Sequence, residues 1–146
     1  MNIEKIADNI YTFPIVLPNN PLKWLNCYVV SSGGRNLLID TGFNRPECRE
    51  ALLGGMRQLG LAADNTDIFI THLHSDHTGN AAYLAGEGFN ILMGRTDHRV
   101  VTMPQSEKHR ETHARFLREG MPKEDLALWS AKSPAIKFAP GAFPPR

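Results

Sequence analysis

The segment Thr71-His72-Leu73-His74-Ser75-Asp76-His77-Thr78-Gly79 decides how the rest of this sequence is interpreted. Within six residues it holds His72, His74, Asp76 and His77, whose imidazole nitrogens and carboxylate oxygens are ligands that Zn²⁺, Fe²⁺ or Mn²⁺ accept. In an extended chain His72 and His74 point to the same side and could share one ion. Asp76 and His77 follow where the chain must turn, so they could face a second position. The segment predicts a metal-binding loop.

The metal-binding loop follows a short apolar stretch, Asp67-Ile68-Phe69-Ile70-Thr71, that is typical of a strand. In open α/β sheets the crevices that bind ligands lie outside the carboxyl ends of strands, so a site is expected at this edge. Upstream, Gly33-Gly34 suits a tight hairpin between two further strands. The predicted strands cover residues 10–17, 26–31, 36–40, 67–71 and 89–93, and the predicted helices cover residues 46–59, 80–85 and 105–119, with a further short helix that opens at Pro122.

The spacing His72-x-His74-x-Asp76-His77 matches the His-x-His-x-Asp-His signature of the metallo-β-lactamase superfamily. A second stretch, Leu38-Ile39-Asp40-Thr41-Gly42, resembles the strand of that family that ends in Asp-Thr-Gly. The order of hairpin strands, helix, strand and metal-binding loop also agrees. The sequence thus resembles the N-terminal half of a superfamily member, with the likeness extending over about residues 10–101.

This resemblance implies an α/β fold of the α+β type, in which a mixed sheet is flanked by helices as the first half of an αββα sandwich. Residues 1–132 are expected to form the metallo-β-lactamase-like domain. Residues 133–146 contain four of the ten prolines and are expected to be a proline-rich tail, because proline disrupts central strands and helices.

The resemblance also implies roles for individual side chains. His72 and His74 would hold the first zinc ion, and Asp76 and His77 would belong to the second, with two ions in a complete site and iron or manganese as alternative metals. Asp76 is the expected catalytic residue, either holding the attacking hydroxide or acting as the base. Asp40 would orient the loop or its histidines, as ligating imidazoles require. The alternative for Asp40 is a carboxylate that only ends a strand and starts a turn.

The reaction that the resemblance implies is hydrolysis, in which a hydroxide activated by the metal attacks an acyl or phosphoryl centre. The superfamily acts on β-lactams, on lactones, on phosphodiesters and on thioesters such as glutathione conjugates, the glyoxalase II-like case. The first expectation is a hydrolase of a small acyl substrate. A nuclease of the same superfamily needs a basic surface for its substrate and is the weaker expectation. The alternative of another class is a non-catalytic fragment that binds metal or associates with itself.

The second half of the fold would supply further metal ligands, and the sequence offers none in the expected context. Each metal position is left with two protein ligands, whereas a catalytic zinc ion normally has three. A truncated or frameshifted product, a half-fold completed by a partner chain or domain swap, and unusual late ligands would each account for this. A half-sandwich would also expose an apolar sheet face that could pair with another copy as a homodimer.

The later histidines are His98, His109 and His113. His109 and His113 lie four residues apart in a predicted helix and share one face, but the charged residues around them favour a solvated surface over a metal site. His98 follows a predicted strand, where it could reach the rim of the site. The sequence favours no metal role for any of the three.

The charge and composition of the sequence limit the classes of partner that the protein is expected to bind. Sixteen Lys and Arg against fifteen Asp and Glu give a net charge of +1, too small to favour nucleic acid or an anionic membrane. An acidic residue near the N-terminus and the lack of a long apolar stretch predict a cytoplasmic protein with no membrane segment. Cys27 and Cys48 lie far apart, so no disulfide framework is expected. A small-molecule substrate is the expected partner.

Overall fold

The computed structural model describes residues 2–132 and 141–143. Within these residues the chain forms one sheet of six strands and six helices. The strands are β1 (Glu4–Ala7), β2 (Ile10–Val16), β3 (Trp24–Ser32), β4 (Arg35–Ile39), β5 (Thr66–Ile70) and β6 (Asn90–Met93), and the helices are α1 (Pro46–Gln58), α2 (Ser75–Thr78), α3 (Ala81–Gly86), α4 (Arg95–Thr102), α5 (Gln105–Arg118) and α6 (Lys123–Lys132).

The sheet is mixed, and its strands follow the order of the chain from β1 to β6. Strands β1 to β4 pair antiparallel, whereas β4, β5 and β6 pair parallel. Gly33 and Gly34 form the turn between β3 and β4 with φ angles of 57° and 83°, a left-handed conformation that glycine adopts without a steric penalty. Two parallel strands have to be joined by a crossover connection. Helix α1 lies in the connection from β4 to β5, and α3 lies in the connection from β5 to β6. The predicted mixed sheet flanked by helices is confirmed.

One face of the sheet forms the core with the crossover helices. Alternate residues of β2 to β5 point to this face, as the two-residue period of a strand requires, and Phe13, Val29, Leu38 and Ile68 are buried there. Helix α1 packs closely on β2, since a Cβ added at Gly55 would lie 2.5 Å from the Phe13 ring. This packing fixes where α1 and the loop before it lie relative to the strand ends.

The opposite face of the sheet carries an apolar row that crosses four strands in register. Tyr28 pairs with Ile39, Ile39 with Phe69, and Phe69 with Leu92. Tyr28, Phe69 and Leu92 are 36%, 37% and 41% exposed. The row, called the exposed apolar row below, follows from the same alternation that buries the other face.

Three features differ from the sequence-based expectations. Strand β1 was not predicted, since it is a short edge strand with every residue exposed and so lacks an alternating pattern. Helix α4 was not predicted because none of its residues is buried and its apolar residues are only the adjacent Val100 and Val101, too few to show a helical period. Most of the predicted proline-rich tail, residues 133–140 and 144–146, lies outside the described residues, while Phe143 packs against the core. Within residues 2–132 and 141–143, no helix has the length and apolar character needed to cross a membrane.

Candidate metal centre

The metal-binding loop lies at the carboxyl end of β5, as predicted, beside the carboxyl end of the neighbouring parallel strand β4. Asp40 directly follows β4, and Thr71 directly follows β5. The Asp40 amide donates to the carbonyl oxygen of Phe69 at 3.0 Å, which extends the pairing of the two strands to their last residues. The parallel pairing therefore brings Asp40 beside the first residue of the loop, although the two are 31 positions apart in the sequence.

Asp40 is buried and makes the densest set of hydrogen bonds at this edge. Its Oδ1 accepts from the Thr71 backbone amide at 2.9 Å, its Oδ2 accepts from the Thr71 hydroxyl at 2.9 Å, and Oδ2 also accepts from His77 Nδ1 at 2.8 Å. Burial alone would raise the pKa of Asp40, but the hydrogen bonds from His77 and Thr71 outweigh it and lower the pKa. Asp40 is therefore an anion that orients both the loop and one of its histidines.

The two ring nitrogens of His77 face two different carboxylates, Nδ1 that of Asp40 and Nε2 that of Asp76. Burial opposes the charged form of His77, but the hydrogen bond and charge of Asp40 prevail and raise the His77 pKa. Because Nδ1 donates to the Asp40 carboxylate, Nε2 is the atom left for a metal or a proton. Nε2 lies 3.6 Å from Asp76 Oδ2, so these two atoms form one donor pair.

His72 and His74 form the second donor pair, with His72 Nε2 lying 3.0 Å from His74 Nδ1. The Thr71 hydroxyl donates to Asp40, so its oxygen accepts from His72 Nδ1 at 3.0 Å, which leaves the lone pair of His72 on Nε2. Burial and then the charges of His77 and His74 lower the pKa of His72. That Nε2 lone pair accepts from His74 Nδ1 in this structure, and a neutral imidazole that is unprotonated at Nε2 is the form that binds a metal.

The chain turns between the two pairs through the short helix α2. Its first turn is closed by the amides of His77 and Thr78, which donate to the carbonyl oxygen of His74 at 3.0 and 2.9 Å. This turn brings Asp76 and His77 back toward Asp40, and the rings of His72 and His77 lie 4.1 Å apart between centroids. The two predicted pairs of ligands are thus held side by side by one extended segment and one helical turn.

The donor chemistry of these four side chains fits a transition metal such as zinc, because each pair offers nitrogen or carboxylate ligands from orientations that hydrogen bonds fix. The fit is limited to pairs: in the part of the chain that the structure describes, no three His, Cys, Asp or Glu side chains are arranged to hold one ion. The ligands His72, His74, Asp76 and His77 therefore remain a prediction with supporting geometry.

The later histidines lie elsewhere. His98 is on α4, while His109 and His113 lie on α5 with their rings 3.8 Å apart between centroids. His113 Nε2 lies 2.8 Å from the Ser130 hydroxyl on α6, which gives this ring a structural partner. Among residues 2–132 and 141–143, none of the three contacts the four donor side chains.

Sequence reasoning did not identify Thr71, Thr41 and Asn80 as part of the site. Thr71 begins the metal-binding loop and Thr41 lies in the Asp-Thr-Gly stretch. Their place in these two motifs was the sequence signal that could have identified them. Asn80 lies at the position before α3, where an asparagine commonly caps a helix, but its side chain makes no capping hydrogen bond. The amide instead donates to the carbonyl oxygens of Thr41 and Phe43 at 2.8 and 2.9 Å, contacts that no local pattern predicts.

Comparisons with known proteins agree with this architecture. The family model of the metallo-beta-lactamase superfamily matches residues 25–142. An atrochrysone carboxyl ACP thioesterase of Aspergillus novofumigatus is 38% identical over 86 residues, which cover 53% of this chain and 24% of that protein. A lactamase-like protein of Pestalotiopsis microspora is 32% identical over 87 residues, which cover 57% of this chain and 26% of that protein.

The fold is also found among solved structures. A metallo-beta-lactamase family protein from Thermus thermophilus superposes with a TM-score of 0.67 and 26% identity over 97% of this chain, but over only 47% of its own. The present chain thus spans about a quarter of the curated relatives named above and about half of this solved chain. The match to the family model over most of the sequence and the shared fold agree that the chain belongs to the metallo-beta-lactamase superfamily.

Proposed function

We propose that the protein functions as a metal-dependent hydrolase of a small acyl substrate, with zinc as the metal and a thioester as the favoured substrate class. The observation that carries this proposal is the orientation of His77, whose Nδ1 donates to the buried Asp40 at 2.8 Å while its Nε2 faces Asp76. An anionic partner that fixes the ring and raises its basicity is typical of histidines that bind catalytic metals.

The metal, Asp76 and Asp40 have separate roles in the proposed reaction. A zinc ion held by His72, His74, Asp76 and His77 would supply Lewis acidity toward the acyl oxygen and would lower the pKa of the attacking water. The Asp76 carboxylate is partly exposed beside His77, so it can orient the attacking water and accept its proton. Asp40 keeps the His77 ring in one orientation throughout, because it is buried and held by Thr71.

The choice of substrate class rests on the relatives and on charge. One relative is named as an ACP thioesterase and another as lactamase-like, each matched over about half of this chain, which supports an acyl centre and places lactones and β-lactam-like rings as the next classes to test. The net charge of +1 weighs against RNA as the substrate, so a small molecule is the proposed partner.

The test is an assay of the full chain after loading with ZnCl₂, against a panel of an acyl thioester, an aliphatic lactone, a chromogenic β-lactam and a labelled RNA. We expect thioester hydrolysis that EDTA abolishes and zinc restores. Asp76→Asn is expected to lower kcat by about 10²- to 10⁴-fold, the usual contribution of a general base. His98→Ala, which alters a histidine on α4, is the matched control and should retain the wild-type rate. RNA cleavage in preference to the thioester would contradict the proposal.

A second candidate is a chain that binds metal or associates with itself without turnover. It is favoured by the ligand number, because each donor pair supplies two ligands where a catalytic zinc ion normally has three. Elemental analysis of protein purified without chelator, combined with the mass in solution, separates the two candidates. Metal bound without hydrolysis of any panel member would favour the second candidate, and metal-dependent hydrolysis would exclude it.

A further inference from the structure

The loop that follows β4 and the end of the metal-binding loop are in direct backbone contact. The Thr41 amide and hydroxyl both donate to the carbonyl oxygen of His77, at 2.9 and 2.7 Å. Two residues after His77, a Cβ added at Gly79 would overlap backbone atoms of Gly42, Phe43 and Asn44. The position of His77 therefore depends on how closely these two loops approach.

Asn80 joins the same two loops through a fully buried side chain. Its Nδ2 donates to the carbonyl oxygens of Thr41 and Phe43 at 2.8 and 2.9 Å, and its backbone amide donates to the Thr41 hydroxyl at 3.2 Å. Since both Nδ2 hydrogens are directed at carbonyl oxygens, the orientation of the amide is determined, and Oδ1 must face away from them.

Arg49 of α1 supplies the partner of that oxygen. Its Nε donates to Asn80 Oδ1 at 3.1 Å, and its Nη2 donates to Asn44 Oδ1 at 2.8 Å. The guanidinium also lies over the Tyr83 ring of α3, 4.3 Å from the ring centroid. The rigid planar guanidinium suits several such contacts at once, which the single ammonium group of a lysine cannot reproduce.

We propose that Arg49 and Asn80 are positioning residues that hold the metal-binding loop in its binding geometry and so set the affinity for the metal. Arg49 acts through Asn80, Asn80 acts through Thr41, and Thr41 holds the backbone at His77. The role in affinity rests on the proposed function, whereas the ordering of the loop can be measured without any metal.

The first experiment measures loop order in the metal-free full chain. Amide hydrogen exchange is compared between wild type, Arg49→Met, Arg49→Lys and the control Arg57→Met, which alters an exposed arginine of the same helix. We expect the amides of residues 71–80 to exchange at least tenfold faster in Arg49→Met, at an intermediate rate in Arg49→Lys and at the wild-type rate in Arg57→Met. Unchanged exchange at residues 71–80 in Arg49→Met would overturn the proposal, whatever the metal binding.

The second experiment measures Zn²⁺ affinity by competition with a chromogenic chelator, and the visible absorption of the Co²⁺-substituted protein. Arg49→Met is expected to weaken Zn²⁺ binding by about 10- to 100-fold, as loss of an outer partner of a metal ligand does, and to alter the Co²⁺ spectrum. Faster loop exchange with affinity within twofold of wild type would overturn the role in affinity. Wild type that binds neither Zn²⁺ nor Co²⁺ would contradict the proposed function itself.

Discussion

At the scale of single residues, Asp40 shows how one carboxylate links the fold to the site. It has a φ angle of 64°, a left-handed conformation that aspartate tolerates better than most residues, and this conformation turns its side chain toward Thr71 and His77. Because Asp40 is buried, its hydrogen bonds exchange little with water, and the ion pair with His77 is screened little by salt.

The Asp40–His77 pair makes stability depend on pH in the metal-free protein. The pKa of Asp40 is lowered from the reference value of about 3.9, so its contribution is present above that pH and is lost as the pH falls through the lowered pKa. The pKa of His77 is raised from about 6.5, so its contribution is present below that pH and is lost as the pH rises through the raised pKa. The pair therefore stabilises the fold most between about pH 4 and 6.5.

The variant Asp40→Asn tests this dependence. At pH 6 we expect the free energy of unfolding to fall by about 1.5–3 kcal/mol, the range for hydrogen bonds to a charged group. The decline in stability that is expected of wild type above about pH 6.5 should flatten, since the ion pair is gone. Urea unfolding of chelator-treated protein across pH 5 to 9 is the measurement. Asp67→Asn, which alters an exposed carboxylate paired with Arg35, should keep the wild-type slope above pH 6.5. An unchanged slope in Asp40→Asn would contradict the assignment.

Gly79 tests the contact between the two loops. Its φ angle of −54° is an ordinary helical value, so any cost of Gly79→Ala comes from the overlap of the new Cβ with backbone, which cannot move as freely as a side chain. We expect a loss of about 1–3 kcal/mol in the free energy of unfolding, together with weaker zinc binding. The control is Gly86→Ala in α3, where nothing lies within 4 Å of the added Cβ and helix propensity favours alanine. Equal stability in Gly79→Ala and wild type would show that the loops can separate.

At the scale of elements, helices α5 and α6 form a pair that is held by few contacts. Phe116 and Trp129 meet edge to face with ring centroids 4.9 Å apart, and His113 approaches Ser130 at 2.8 Å. Leu126 is the buried residue of α6. Because the described contacts of this pair are mainly internal, its stability should be separable from that of the sheet and the metal centre.

The variant Trp129→Ala tests that separation. Loss of the edge-to-face contact, worth about 0.5–1.5 kcal/mol beyond the buried area, should speed amide exchange in α5 while leaving exchange in β3 to β5 and zinc affinity unchanged. Trp24→Ala, which alters the other tryptophan at an exposed strand position, should leave α5 exchange unchanged. Slower zinc loading or faster exchange throughout the sheet in Trp129→Ala would show that the helix pair and the sheet unfold together.

At the scale of the whole molecule, the sheet has one face covered by helices and one face with the exposed apolar row. Six-stranded sheets with two packed faces bury apolar side chains on both, whereas here Phe69 and Leu92 are 37% and 41% exposed. An apolar surface that crosses four strands in register favours association with another apolar surface in water. A second copy of the chain is the partner available to the purified protein.

The variant Phe69→Lys tests association through this face. We expect the mass of wild type in solution to rise with concentration and to approach that of a dimer, because burial of the exposed apolar row is favourable. A lysine at the centre of the row would have to be buried in the dimer, so Phe69→Lys should remain monomeric. Sedimentation velocity over a hundredfold range of concentration is the measurement. Leu128→Lys on α6 is the matched control and should behave as wild type. A wild-type monomer at every concentration would contradict self-association.

Much of this arrangement could be predicted because it depends on short stretches of sequence. The spacing of His72, His74, Asp76 and His77 indicated the metal-binding loop, and the glycines of the β3–β4 turn indicated the hairpin. Short apolar runs bounded by turn or polar residues indicated the central strands, and the mixed sheet followed from the resemblance and was confirmed. Strand β1 and helix α4 were not predicted. Every residue of β1 is exposed and no residue of α4 is buried, so neither element has the apolar run that marks a buried strand or helix.

The remaining features were decided by tertiary structure, because they depend on residues that are distant in the sequence. Asp40 meets His77 across 37 positions and Asn80 meets Thr41 across 39, after the parallel pairing of β4 and β5 has brought the two loops together. No local period encodes such contacts, and a buried amide such as Asn80 has the same sequence signal as a helix cap. The sequence by itself placed four potential metal donors within six residues, because their spacing is local, and the packing of two strand ends determined how those side chains are oriented.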